Sequence, residues 1–276
     1  MIPIRTLLAE CIDYAGLFPP AGLDMLSAVR NYAQYRTGED AWALGRFVVP
    51  ANRLAELQAA AGECIRQASS SRPWQLSVLA GADPGSDIET VIRFNQQHSK
   101  SVSFIADTLE LKATSTAAIE DVMRLVPRAV RAYIEIPVNR DPYPVLTTIA
   151  RLGARAKART GGVTADAFPS TADLLRFIRS CLQAGIPFKA TAGLHHPLRA
   201  EYRLTYAPDS PSGVMFGFLN LLLATAFVHA GMPDSDAALL LEEKSSHAFG
   251  LDRDGISWRD HRLDGEALRH ARQEGM

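Results

Sequence analysis

Short runs of β-type residues alternate with longer segments of helical period along almost the whole chain, and this alternation restricts the fold more than any other feature. Strand-like runs fall at Ile12–Gly16, Arg46–Pro50, Gln75–Gly81, Val102–Asp107, Ala132–Pro137, Arg155–Gly161, Phe188–Gly193 and His247–Asp252. Between them, Leu23–Arg36, Asn52–Ala68, Asp87–His98, Thr116–Leu125, Val145–Leu152 and Thr171–Ala184 are periodic segments of helical type,. Strands joined by helical crossovers form parallel sheets. Eight such strands predict an α/β fold closed into a single (β/α)8 barrel of TIM type over residues 1–276,. An open doubly wound sheet is announced by G-x-G-x-x-G after the first strand. Here the first strand runs instead into Gly16-Leu17-Phe18-Pro19-Pro20, which is no phosphate loop.

The length of 276 residues suits one such domain,. With 47% hydrophobic and 21% charged residues, the chain is neither disordered nor fibrous,. Lys plus Arg is 29 against 30 for Asp plus Glu, so no global field favours nucleic acid or an anionic membrane,. The three cysteines, Cys11, Cys64 and Cys181, are odd in number and far apart, which indicates neither a disulfide framework nor a zinc–cysteine site,. The opening stretch has one basic residue before an apolar run broken by Glu10 and Asp13, unlike a secretory signal, so a cytoplasmic enzyme is expected,. Val214–Gly231 carries no Lys, Arg, Asp or Glu. It predicts a buried helix, with a subunit contact and hence a homo-oligomer as one way of covering it.

In a barrel of this type the site lies at the carboxyl ends of the strands, and side chains alternate between interior and helix layer. With the isoleucines and alanines turned toward helices, Tyr133 and Glu135 face inward on the fifth strand. Arg155, Lys157 and Arg159 do so on the sixth, and Lys189 and Thr191 on the seventh. A structural barrel fills those layers with Val, Ile and Leu. Inward charges are tolerated when paired, hydrated or functional. The bland alternative is an ion-pair network at the barrel's base. Against it, Lys157 and Lys189 each precede a glycine, Gly161 and Gly193, by four residues, which puts both near the upper mouth. The candidate catalytic residues are therefore Lys157, Lys189 and Glu135. Arg159, Thr160, Gly161, Gly162, Thr191, Gly193, His195, His196 and Asp13 are candidates for binding an anionic small-molecule substrate. Arg159 offers a bidentate guanidinium. Asp13 is equally readable as a general base or as a turn cap, and Asp166 lies in a candidate specificity loop. Adjacent His195 and His196 point to opposite sides of an extended segment. No H-x-H or H-E-x-x-H spacing is present, so no metal and no cofactor are expected.

The stretch Ala156–Leu194 resembles part of the class I deoxyribose-phosphate aldolases. Lys157-Ala158-Arg159-Thr160-Gly161 is similar to that family's Lys-x-x-Thr-Gly strand end, and Phe188-Lys189-Ala190-Thr191-Ala192-Gly193 to its Val-Lys-Ala-Ser-Gly-Gly strand. The resemblance implies that Lys157 forms an imine with a carbonyl substrate and that Lys189 favours its neutral form. Phe104–Thr108 and Phe249–Asp252 differ from the family's acidic fourth strand and Gly-Thr-Ser phosphate loop, so a phosphorylated substrate is not implied. The strings Ile12–Ala21, Arg159–Gly162 and Ala192–Pro197 also resemble those of an uncharacterised bacterial family. Two other readings stand beside the imine enzyme. One is a metal-assisted or acid/base enzyme using Glu135, His195 and His196, and the other is a non-catalytic barrel that binds a metabolite or partner.

Overall fold

The computed structural model describes residues 3–67, 72–101 and 103–276. The chain divides into two compact units. One comprises Leu8–Ala113 and Ala117–Ile134; the other comprises Glu135–Met276 with Met1–Leu7 and Thr114–Thr116. After a short helix α1 (Pro3–Leu8), the first unit alternates β1 (Ile12–Tyr14), α2 (Met25–Tyr35), β2 (Leu44–Pro50), α3 (Leu54–Gln67), β3 (Trp74–Leu79), α4 (Pro84–His98), β4 (Phe104–Lys112) and α5 (Thr116–Met123), then enters β5 (Arg131–Glu135). Two of the β–α junctions carry a capping residue in the sequence. Asp24 caps α2 by accepting from the Ser27 N–H at 2.9 Å, and Asp83 caps α4 ahead of a proline in the first turn,. The core is aromatic: Tyr32 packs on Phe47 and Trp74, Trp74 on Phe104, and Phe104 on Phe94 and His98,.

The strand β4 differs from its sequence reading in two ways. It extends to Lys112 rather than ending at Asp107, and it bulges. The partner of Leu76 on β3 is Ala106, but the partner of Ser77 is Thr108, leaving Asp107 as the extra residue,. The bulge shifts the inside–outside phase by one. Beyond it, Thr108 and Glu110 are 1% and 3% exposed.

The second unit continues with α6 (Tyr143–Arg151), β6 (Arg155–Arg159), α7 (Thr171–Gln183) and β7 (Phe188–Thr191), then an antiparallel hairpin of β8 (Ala200–Arg203) and β9 (Ser212–Met215). Helices α8 (Phe218–His229) and α9 (Asp234–Leu241) follow, then β10 (Phe249–Leu251), β11 (Gly255–Trp258), β12 (His261–Asp264) and α10 (Gly265–Gly275). The principal sheet has seven strands in sequential order, β1 to β7, so the fold is mixed α/β with a seven-stranded sheet rather than a closed eight-stranded barrel. The segment expected to be the eighth strand, His247–Asp252, instead supplies β10 to a separate antiparallel sheet with β11 and β12. The cause is local. The Asp252 carboxylate accepts from the N–H groups of Asp254 and Gly255 at 2.9 and 3.0 Å, closing a tight turn,. Pairing across so short a loop loses less chain entropy than a return to a distant edge.

The apolar run Val214–Gly231 is likewise divided. Its start belongs to β9, and α8 begins where the Phe218 and Leu219 N–H groups donate to the carbonyls of His196 and Pro197. Within α8, Asn220 through Val228 are all buried by the unit's own elements. Asn220, one of two polar residues in that stretch with Thr225, donates to the carbonyls of Leu240 and Glu243 and accepts from the Arg199 N–H. The helix is thus largely covered within its own unit, with Phe218 and Leu219 half-buried at its start. Among the described residues, no helix is long and apolar enough to cross a membrane.

Candidate functional site

On β6, Ala156 and Ala158 are fully buried and Lys157 is 5% exposed. The Lys157 ammonium lies 2.8 Å from Glu135 Oε2, at the end of β5, with the two side chains 7% and 14% exposed. The Ile136 N–H donates to the Lys157 carbonyl at 3.1 Å, so the backbones carrying the pair are themselves bonded. Strands β6 and β7 run parallel, with Lys157 opposite Lys189 and Arg159 opposite Thr191. Register partners in a sheet share a face. Lys189 therefore projects on the same side as Lys157, and it is half-buried. Alternation alone predicted this convergence of Glu135, Lys157 and Lys189 within the unit. Arg159 is exposed at the strand end rather than turned inside.

Beyond the strands, the two chain ends are stitched together. Thr160 is fully buried; its N–H donates to the Thr191 carbonyl at 2.9 Å and its hydroxyl to the Ala192 carbonyl at 2.7 Å. Gly161 and Gly193 then meet so closely that a Cβ on Gly161 would lie 2.7 Å from the Gly193 Cα. The Phe168 ring covers both, at 2.5 Å from that Cβ position and 2.7 Å from the one on Gly193. Ala192 and Gly193 adopt φ of 65° and 74°, two successive left-handed residues that turn the chain off β7. Left-handed alanine stores strain of about 1–3 kcal/mol, held by the surrounding bonds. Gly162 approaches the Ala167 methyl, and Asp166 is exposed in the short 3-10 turn Ala165–Ala167 that leads to Phe168.

The histidine pair follows this turn. Both imidazoles titrate below the ordinary histidine range because of desolvation, with the charge of His196 adding to the effect on His195. They are neutral groups at neutral pH. His196 stacks on Tyr202 with centroids 3.5 Å apart, while His195 lies more exposed. Arg199, next along, rests on the Phe216 ring at 4.5 Å, and burial pushes its guanidinium below its usual range against the opposing charge of Glu242.

In the other unit, Asp13 accepts from the Arg46 N–H at 2.7 Å, a joint between β1 and β2 that favours its structural reading. Arg46 makes a bidentate pair with Asp107, both bonds 2.7 Å. Burial opposes the Arg46 charge, but the Asp107 contacts outweigh it and hold the guanidinium above its ordinary range. Glu110, a buried carboxylate that receives the Ser77 hydroxyl at 2.6 Å, was invisible to the sequence reading because that reading ended β4 before it. The available signal was that β-type residues, Thr108, Leu109 and Leu111, continue past Asp107,.

An open groove of about 870 Å³ lies between α7 and α9, bounded by Leu175, Arg176, Arg179, Asp234, Leu239 and Glu242. Its charges are internally engaged: Arg179 pairs with Asp234 and Arg176 with Asp173, each at 2.6 Å. None of the site residues expected from sequence lines it. Among the described residues, ligand-type groups converge in one further place, where His229, His270 and Glu274 come together. The chain matches no protein-family model, no curated protein and no solved structure.

Proposed function

We propose that this chain is an aldolase-like lyase that makes or breaks a carbon–carbon bond through an imine between Lys157 and a small carbonyl substrate. The observation that carries the reading is the buried Lys157 amine set 2.8 Å from the Glu135 carboxylate, with Lys189 opposite it in register. A lysine attacks a carbonyl only as the neutral amine. Glu135 is placed to take the ammonium proton as the substrate enters. The amine adds to the carbonyl carbon, and the resulting carbinolamine loses water when Glu135 returns that proton to the departing hydroxyl. The iminium then withdraws the electron pair of the adjacent carbon–carbon bond while Glu135 takes the β-hydroxyl proton, giving an aldehyde and an enamine; that proton returns to the enamine carbon, and water hydrolyses the iminium so formed to release the second carbonyl product and the Lys157 amine. Lys189, opposite Lys157 in register, adds a second basic side chain on the same face of the sheet. Arg159, exposed at the end of β6, suits a carboxylate on the substrate,. Cys11, Cys64 and Cys181 form no disulfide, in keeping with a cytoplasmic compartment,.

The same short contact favours a second reading. A lysine held as an ion pair is a proton donor rather than a nucleophile, so the site would move protons on an anionic metabolite without any covalent step. Borohydride reduction in the presence of a panel of small aldehydes and keto acids separates the two. The imine reading expects a mass increase of one reduced adduct in the wild type, lost in Lys157→Met and retained in weakened form in Lys189→Met. Absence of an adduct with every carbonyl tried overturns it. Labelling that survives Lys157→Met and vanishes in Lys189→Met reverses the two roles.

A further inference from the structure

His229 is the last residue of α8, while His270 and Glu274 lie one turn apart on α10. One-turn spacing places the latter two on one helical face. Leu268, Ala271 and Gly275 bury the adjoining face, and Gly275 lets α10 approach closely. A Cβ there would lie 3.3 Å from Thr225 of α8 and 3.2 Å from Leu182 of α7. His270 and Glu274 each precede one of those small buried residues, so they border the helix contact on the side that His229 occupies. The backbones bearing all three side chains are therefore fixed by packing, independently of any ligand.

The side chains converge. His229 Nε2 lies 3.1 Å from Glu274 Oε2, and His270 Nε2 lies 2.9 Å from Glu274 Oε1. The imidazole centroids are 5.0 Å apart with their planes at 85°, and the three ligand atoms fall within 4.8 Å of one another. Around a tetrahedral zinc, nitrogen and oxygen ligands at ~2.0–2.2 Å stand roughly 3.3–3.6 Å from each other. Seating an ion therefore needs small side-chain rotations and no backbone movement. We infer that His229, His270 and Glu274 form a binding site for one Zn2+, held by both Nε2 atoms and a Glu274 carboxylate oxygen, with water in the fourth position. Two imidazoles and a carboxylate are a donor set that Zn2+ accepts and that Mg2+ and Ca2+ do not favour. Side-chain exposures of 21%, 58% and 56% for His229, His270 and Glu274 leave the ion a route in from solvent. In its absence the carboxylate bridges the two imidazoles; on binding, each Nε2 presents its lone pair and the ring proton resides on Nδ1. The ion cross-links α10 to α8, and it has no part in the Lys157 chemistry.

The test uses tag-free, chelator-treated full chain titrated with zinc chloride, followed by calorimetry and thermal unfolding. About one equivalent is expected to bind at micromolar or tighter affinity, with a Tm rise of several degrees. His270→Ala and Glu274→Gln, both exposed, should lower the affinity at least ~10-fold and abolish the Tm rise. His247→Ala, an exposed histidine elsewhere, should change neither. Co2+ substitution supplies a readout independent of stability: a tetrahedral ligand-field spectrum, lost in His229→Ala. The inference is overturned if no zinc binds, or if the bound equivalent and the cobalt spectrum persist in both His229→Ala and His270→Ala.

Discussion

Replacing Lys157 with Met keeps most of the side-chain volume but removes the ammonium from a carboxylate 2.8 Å away. At that distance and an effective dielectric of ~20, the attraction is about 6 kcal/mol. Both side chains are nearly withdrawn from water, at 7% and 14% exposure, so most of that attraction offsets the loss of hydration,. What a single substitution reveals is the penalty of leaving a buried charge without this partner, about 3–5 kcal/mol. Glu135→Gln should reveal a similar penalty from the other side. The double variant Lys157→Met, Glu135→Gln removes both charges together and strands neither. It should therefore lose markedly less than the sum of the single changes, with a coupling of about 2–4 kcal/mol. Urea unfolding of the wild type, both single variants and the double variant at neutral pH closes the cycle. A coupling below ~1 kcal/mol, the range of solvent-exposed pairs, would refute the reasoning. The two groups would then be separated or hydrated in solution, and Glu135 would lose the geometry it needs to move a proton to and from Lys157.

Gly193→Ala puts a side chain at φ 74° and 2.7 Å from the Phe168 ring. It should destabilise by about 2–3 kcal/mol in thermal unfolding, partly relieved by Phe168→Leu. Burial holds the His98 imidazole below the ordinary histidine range, and its Nε2 has no hydrogen-bond partner among the described residues. The unfolded chain takes up that proton first as pH falls, so the stability His98 contributes is complete above ~6.5 and is lost below it. His98→Phe should flatten this acid loss and add about 1 kcal/mol at neutral pH, measured by denaturant titration on both sides of that window. Asp107→Asn removes the charge from a bidentate pair whose side chains are each 18% exposed. It should lower stability by roughly 2 kcal/mol, and Arg46→Lys should not substitute for the lost fork.

The parts of the fold written in local periods were readable from the sequence. Strands β1, β2, β3, β5, β6 and β7 fall where the β-type runs do, and the shared face of Lys157 and Lys189 follows from strict alternation on β6 and β7, which pair in continuous register. Alternation fails where the backbone slips phase. Asp107 occupies a bulge, so a reading in one phase misses Glu110 and stops the strand early. The eighth strand failed for a different reason. Phe249–Leu251 does form a strand, but its partner is chosen by the Asp252 turn next to it, and a residue pattern carries no record of which edge a strand will join. Arg159 shows a third limit: the last residue of a strand has the right parity for the interior yet reaches solvent because the strand ends there. The convergence of His229 with His270 and Glu274 depends on how two distant helices pack. Only the His270–Glu274 spacing was present in the chain to be noticed.

Phe168, Gly161 and Gly193 form a mutual contact in which each glycine leaves room for the same ring and for the other's backbone. Gly161 and Phe168 lie in the connection between β6 and α7 and Gly193 in the one that leaves β7, yet none of the three can accept a larger neighbour alone. A mutation that enlarges either glycine meets Phe168 and the opposite chain together, and shrinking the ring relieves only one of those overlaps. During divergence these positions are therefore bound by epistasis: they drift as a set, through a smaller ring first, or they stay fixed. The turn that carries Phe168 also carries Asp166 and the approach to Arg159. Selection for a different substrate acting on that turn would be confined to its outward-facing residues, while the ring beneath them remains the part that evolution can least easily revise.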